Sequence, residues 1–349
     1  MATYSNAILF SQHFGIDPKS LDDAGLIDPF LNVDLELFID PVLLEKSGNK
    51  TISVNAVSEF RSHFSNIIRL LSISKKHGDV AWKAAERLLN LKEPPENGLG
   101  YGGSSRSGSS RSDEVKQQIL NTTSDIIKLG AKDPDMISLM GFFEEGVGPD
   151  TISDYTTRVI FPSLAKVTEE FCNSVGIKTH QFNNNSNVEL PIFIDASNKT
   201  KHFLLIPKDI VRDLPIANDW SDVREAAMIN QEIRERVSSY LAGIMTPTVA
   251  DYKSALRGAA LSSSQAFIYF MKAVISSAKA YDPNEDALGY YSLRDLMVSN
   301  QSIFKNKSSV DIELLSNLVF EISGSCSDLI VLCGFNTVFE FNASDNFGQ

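Results

Sequence analysis

Residues 142–161 read FFEEGVGPDTISDYTTRVIF. Two readings of this stretch compete, and the choice between them decides whether the middle of the chain is a helical scaffold or an acidic reaction centre. In the first, Gly146-x-Gly148-Pro149 is a turn between two helices, and Asp150 caps the second by accepting orphan backbone N–H groups. An advance of about 100° per residue then puts Ile152, Tyr155, Thr156, Val159 and Ile160 on one face. Asp154 and Arg158, four residues apart, fall opposite them as a surface ion pair. In the second reading, Glu144, Glu145, Asp150 and Asp154 converge across the turn as hard oxygen ligands for Mg2+. The stretch supplies no matched general base and no second set of metal ligands, which hydrolysis would need. The capped helix is the stronger reading.

Outward from this bend, helical spacing dominates. Val57, Phe60, Phe64, Ile67, Ile68 and Leu71 recur at three and four, predicting a helix over 54–76. Val80, Ala84, Leu88 and Leu91 predict another over 79–91. Further helices are expected at 113–129, 134–144 and 151–175, the last interrupted by Pro162 near Arg158. The stretch LELFID (35–40) alternates in the manner of a strand ended by Pro41. ELPIFID (189–195) and KHFLLIP (201–207) read as a hairpin across ASNKT. Beyond it, helices are expected at 219–243, with Trp220, Val223, Ala226, Ile229, Ile233, Val237 and Tyr240 in the buried stripe, and then at 248–280, 291–304 and 309–323. The tail 326–341 fits a strand pair or a helix end equally. The expected fold class is α+β and mainly helical, with a small mixed sheet in the N-terminal half and a helical C-terminal half. Two domains are expected, 1–215 with an exposed Gly/Ser-rich loop at 92–114, and 216–349.

Composition limits the classes of function. Hydrophobic residues at 43% and charged residues at 22% are globular values. No apolar stretch approaches the roughly 20 residues of a membrane span. The first residues lack a basic region ahead of an apolar run, so no secretory signal is expected. Cys172, Cys326 and Cys333 show no ligand spacing, which fits reduced thiols in a cytoplasm. Net charge is −12, yet unevenly spread. Residues 1–45 hold eight acids and one base, a net of −7; residues 46–112 hold eleven bases and five acids, a net of +6. Such an acidic total opposes general polyanion binding. Either the two segments neutralise each other, or residues 46–112 form a local basic surface that accepts nucleic acid or an acidic partner. Arg61, Arg69, Arg106 and Arg111 are the candidate phosphate or partner contacts.

Other motifs are incomplete. Gly98-x-Gly100-x-x-Gly103 matches a dinucleotide fingerprint in letters only, because no strand precedes it and no helix follows directly. DPNED (282–286) has alternating oxygens, but Ala287 and Leu293 stand where a calcium loop needs glycine and glutamate. The five histidines have no zinc spacing. The hairpin offers Asp195 and Lys208 for a PD-(D/E)xK nuclease site, with Ile206 where the acid before the lysine belongs.

The stretches LFIDPVLL (37–44), GLGYGGSSRSGS (98–109), FEEGVGPDTISDYTTRVI (143–160), LPIFID (190–195), LLIPKDIVRDLP (204–215) and YDPNEDALG (281–289) together resemble, in order and spacing, the N-terminal region of a group of bacterial proteins associated with phage-defence islands. The resemblance implies that longer members carry a C-terminal PD-(D/E)xK-like nuclease domain, whose GRGPVDF-type and EIKL-type strands this sequence lacks. Two functions are therefore expected in order. The first is a non-enzymatic sensor or adaptor subunit of a defence complex, cytoplasmic, without a cofactor, acting beside a separate ATPase or nuclease. The alternative is a divergent nuclease, with Glu145, Asp150, Asp154, Asp195 and Lys208 catalytic and Glu145, Asp150 and Asp154 holding Mg2+. If neither a partner nor an activity exists, an ordinary binding protein remains.

Overall fold

A computed structural model describes residues 8–35, 37–100, 112–182, 187–195, 198–212, 231–282 and 294. Its helices are α1 (Phe10–Phe14), α2 (Pro18–Asp23), α3 (Val57–Ile73), α4 (Val80–Leu89), α5 (Asp113–Lys128), α6 (Met140–Phe143), α7 (Pro149–Val159), α8 (Phe161–Val175), α9 (Gln231–Leu241), α10 (Val249–Ala260) and α11 (Ser264–Ser277). The strands are β1 (Phe38–Ile39), β2 (His180–Gln181), β3 (Glu189–Leu190), β4 (Ile192–Ile194), β5 (Thr200–His202) and β6 (Val211–Arg212). The fold is α+β and mainly helical, with its strands in the N-terminal half.

Helix α3 is central because its predicted stripe is real: Phe60, Phe64, Ile67, Ile68 and Leu71 are buried. It is entered through π-helix at Thr51–Ala56 and packs against α4, α5 and α7. Helix α4 forms where expected, capped by the Asp79 carboxylate on Trp82 N at 2.8 Å, but its buried face is not the predicted one. Trp82, Ala85 and Leu89 face inward, while Val80 is 83% exposed. The large indole decides the rotation, and its Nε1 donates to Gln117 on α5 at 3.1 Å.

Helix α7 stops at Val159 and α8 starts at Phe161, which puts the break two residues before Pro162. The proline ring would clash with the Arg158 carbonyl of a continuous helix. The single helix expected over 248–280 is likewise two, because Ser263 leaves helical geometry and caps α11 through Ala266 N at 3.1 Å. Tyr240, expected in a buried stripe, is half exposed, whereas Ile233 and Val237 are buried.

Among the described residues, three separate antiparallel ladders stand where a mixed sheet is expected. They are β1 with β6 (Phe38↔Arg212), β2 with β3 (His180↔Leu190) and β4 with β5 (Ile192↔His202). Parallel pairing survives as the isolated bridge Leu35↔Leu99. The extended run 203–207 is buried throughout, but its backbone is shared among three segments. Leu204 N donates to Glu96 O at 2.8 Å, Leu205 N to Thr168 Oγ1 at 2.9 Å, and Ile206 O accepts from Ile27 N at 2.9 Å. These bonds take up backbone groups that a longer ladder would otherwise have paired.

Long-range polar contacts close the chain on itself. Lys46 Nζ donates to the carbonyls of Ile275 and Ala278, both at 2.8 Å. Asp22 accepts a two-pronged bond from Arg294, at 2.7 and 3.0 Å. The expected elements beyond 282, including the 281–289 loop and the 326–341 tail, lie almost wholly outside the described residues.

Candidate functional site: the acidic bend and its cleft

The bend begins where α6 ends at Phe143, and Val147 N closes a turn onto Glu144 O at 3.1 Å. Two features hold it. Gly146 lies so close to α5 that a Cβ there would sit 2.8 Å from Val115 Cγ2 and 3.0 Å from Gln118 Oε1. From the other side, Lys253 on α10 donates to Glu144 O at 2.8 Å and to Val147 O at 3.1 Å. Lys253 is 2% exposed. Burial brings its amine down to about 8, against the pull of Glu144 and Glu145.

The Glu144 carboxylate faces the same helices. It accepts from the Thr122 hydroxyl and lies 3.5 Å from Arg257 Nε. Arg257 also reaches Thr122 Oγ1 at 3.0 Å and Asp125 at 3.0 Å. Burial raises the Glu144 carboxyl more than Thr122 and Arg257 lower it. These side chains line a cleft of about 410 Å³ between α5, the bend and α10, with Glu145 exposed at its edge. At its wall Gln118 Oε1 is buried and accepts no hydrogen bond among the described residues. The arrangement locks a turn and leaves a polar recess.

Beyond the bend, Gly148 is the N-cap of α7, Pro149 takes its first turn, and Asp150 follows inside the helix. The expected Asp150 cap is thus displaced by two residues, because proline has no N–H to satisfy and is preorganised for the first helical position. Asp150 instead packs on Gly100, whose φ is +123° and where a Cβ would sit 2.9 Å from Asp150 Oδ1. Asp154 is 4% exposed, so the expected surface pair with Arg158 does not form. Arg158 turns to the strap at 92–100, donating to Lys92 O at 2.7 Å and Glu93 O at 2.8 Å, with Glu96 at 3.4 Å.

The reason is that α7 is enclosed on several sides, so a one-face reading misplaces its polar residues. Residues Thr151 to Thr157 are all buried. The Thr156 and Thr157 hydroxyls bond back to Ile152 O and Ser153 O, at 2.7 and 2.8 Å, which makes their burial tolerable. Ser153 Oγ accepts from Ile39 N at 3.0 Å, and Asn97 Nδ2 donates to Thr157 Oγ1 at 3.3 Å.

The residues proposed for a nuclease centre serve different neighbours. Asp195 holds its own hairpin turn, accepting from Lys199 N at 3.0 Å and pairing with Lys201 at 3.3 Å. Lys208 pairs with Asp22. Glu145 is at the cleft edge, Asp150 is on Gly100, and Asp154 is buried. Among the described residues no three His, Cys, Asp or Glu side chains gather closely enough to hold a metal ion. Arg61 pairs with Glu45 at 3.0 Å and Asp135 at 2.8 Å, Arg69 is exposed, and Arg106 and Arg111 lie outside the described residues. Cys172 is buried, and burial pushes its thiol up to about 12, away from nucleophile chemistry.

Lys253 and Arg257 escape a reading of the sequence that looks for acidic clusters. Their signal is positional: Lys253 occupies the buried stripe of α10 with Leu256 and Ala260. No helix among the described residues is long and apolar enough to cross a membrane. No curated protein and no solved structure matches the chain. A family model does match, across residues 15–218, a span that holds the bend, α7 and the 92–100 strap but not Lys253 or Arg257. The chain belongs to that family, described as a domain of unknown function (DUF8370).

Proposed function

We propose that the chain is a non-enzymatic sensor or adaptor subunit of a bacterial anti-phage defence complex, working in the cytoplasm beside a separate nuclease or ATPase. The resemblance of its ordered motifs to defence-associated proteins supports the setting. The observation that carries the non-enzymatic part is the commitment of the key side chains to neighbours within the fold. Lys208 pairs with Asp22, Asp195 with Lys201, and Glu144 with Thr122 and Arg257. Ile206, where an acid would complete a nuclease motif, is 2% exposed and part of the core. A metal-assisted hydrolase instead needs acids and a lysine free to meet substrate at one point.

The test is direct. Purified protein incubated with Mg2+ and either DNA or RNA leaves both intact, while co-expression with an ATPase or nuclease encoded beside it recovers a stable complex. Magnesium-dependent cleavage that disappears on Asp150→Asn, in a variant with unchanged circular dichroism, would overturn the reading in favour of a divergent nuclease.

A further inference from the structure

The helical hairpin formed by α3 and α4 concentrates positive charge, of which the described structure pairs Arg61 with Glu45 and Asp135. Residues 61–92 contain seven bases (Arg61, Arg69, Lys75, Lys76, Lys83, Arg87 and Lys92) against the two acids Asp79 and Glu86, a net of +5 in a chain of −12. Both acids are half-buried and hydrogen-bonded within the fold. Asp79 accepts from Lys75 N and Trp82 N at 2.8 Å and from the Ser74 hydroxyl at 3.0 Å. Glu86 accepts from Gln117 at 2.8 Å. No exposed residue from Ser62 to Lys92 carries a carboxylate.

Of the acidic N-terminal segment, Glu45 reaches this face, at Arg61, while Asp22, Asp28 and Asp40 are engaged elsewhere. Asp22 meets Lys208 and Arg294, Asp40 meets Arg212, and Glu45 meets Arg61. Asp28 accepts from Ser11. The other six bases of the hairpin are exposed and form no salt bridge among the described residues.

They also lie in a usable order. Lys83 and Arg87 are one turn apart, about 6 Å along α4, on the side opposite Trp82, Ala85 and Leu89. Lys75 and Lys76 continue the charge through the turn, and His77, Asn66, Ser62 and Asn90 add exposed hydrogen-bonding groups. We propose that this hairpin edge binds the phosphodiester backbone of a nucleic acid. Bases with hydroxyl and amide neighbours hold phosphates and fix register without reading sequence. A membrane surface fits less well, because a bilayer-seated helix buries a broad apolar face. Here the large exposed apolar residues are Ile73 at 69% and Val80 at 83%. The overall negative charge repels polyanions at long range, which confines attraction to the hairpin and makes binding strongly salt-dependent.

This inference goes beyond the adaptor reading and is separable from it: a chain that cleaved nucleic acid would refute the adaptor while leaving the hairpin as its docking face. The experiment measures fluorescence anisotropy with short duplex DNA, single-stranded DNA and RNA as probes, across about 50–200 mM salt. Binding is expected to at least one probe, with a log–log salt slope of about −3 to −4 if some four phosphates are neutralised. The combined variant Lys75→Glu, Lys76→Glu, Lys83→Glu, Arg87→Glu is expected to weaken that binding by about tenfold or more and to flatten the slope. A control of equal charge change, Lys132→Glu, Lys178→Glu, Lys272→Glu, Lys279→Glu, alters exposed lysines elsewhere and is expected to weaken it far less. The same four hairpin positions changed to glutamine guard against misfolding and are expected to lose affinity in the same direction. Absence of binding to every probe, equal losses in hairpin and control variants, or binding to phosphatidylserine–phosphatidylcholine vesicles without binding to nucleic acid would each overturn the proposal.

Discussion

Lys253 joins the two carbonyls of the bend from within a buried helix face, and its lowered pKa gives that role a pH signature. An amine whose folded pKa lies near 8, below an unfolded value of about 10.4, disfavours the native state while both states hold the proton. As pH rises above 8 the native amine releases its proton first, the unfolded chain binds more protons, and stability from this group increases. Urea midpoints of the wild type, less those of Lys253→Met, should therefore climb between pH 8 and pH 10; a flat difference would remove Lys253 as the cause. Gly100→Ala addresses the other side of the bend. It combines a positive φ with a Cβ 2.9 Å from Asp150 Oδ1 and should cost about 1–3 kcal/mol in a thermal melt. At this scale the sequence points to the right neighbourhood and the wrong partners. The 142–161 stretch does border a cleft, but the groups that lock it come from α10, about a hundred residues later.

At the scale of elements, α7 and β1 depend on one hydroxyl. Ser153→Ala leaves the buried Ile39 N–H without its acceptor, at a cost of about 1–3 kcal/mol, which chemical denaturation would register with m unchanged. Ser153→Thr keeps the acceptor and should retain most of that stability. The helices were the legible elements, since α3, α4 and α5 form where the three-and-four spacing of apolar residues places them. Faces were harder. The spacing of Val80, Ala84, Leu88 and Leu91 is regular, yet Trp82 outweighs it by buried area and turns α4 inward along Trp82, Ala85 and Leu89. Helix α7 misleads for a different reason: amphipathic analysis assumes one wet face, and Asp154 lies on a helix that has almost none. The strands were legible as extended segments and not as a sheet, because Leu204, Leu205 and Ile206 each bond a different part of the chain.

For the whole molecule, the uneven charge along the sequence resolves into structure in one half and surface in the other. Among the acids of the first 45 residues, Asp22, Asp40 and Glu45 brace distant segments, and Asp22 shows how that is paid for. Burial alone would raise its carboxyl, but hydrogen bonds from Arg294 and Lys208 hold it below the ordinary range. A depressed folded pKa contributes stability above the unfolded value of about 3.9 and loses it as pH falls through the folded one. Asp22→Asn should accordingly lower stability at neutral pH and show a shallower loss on acidification, read from melting temperatures between pH 6 and pH 3. Neither Asp22 with Arg294 nor Lys46 with Ile275 and Ala278 was foreseeable, because spacing along a chain carries no record of which remote segments meet.

Those tethers bear on the order in which the protein can be made. Lys46 waits for a carbonyl 232 positions downstream, and Asp22 for a guanidinium 272 positions downstream. At about 5–20 residues per second, ribosomal synthesis separates their appearance by on the order of 10–50 s. A nascent chain halted before α11 emerges has its first helices and none of these clasps, so chaperone capture should be strongest on that truncated form and fall once residue 294 clears the exit tunnel.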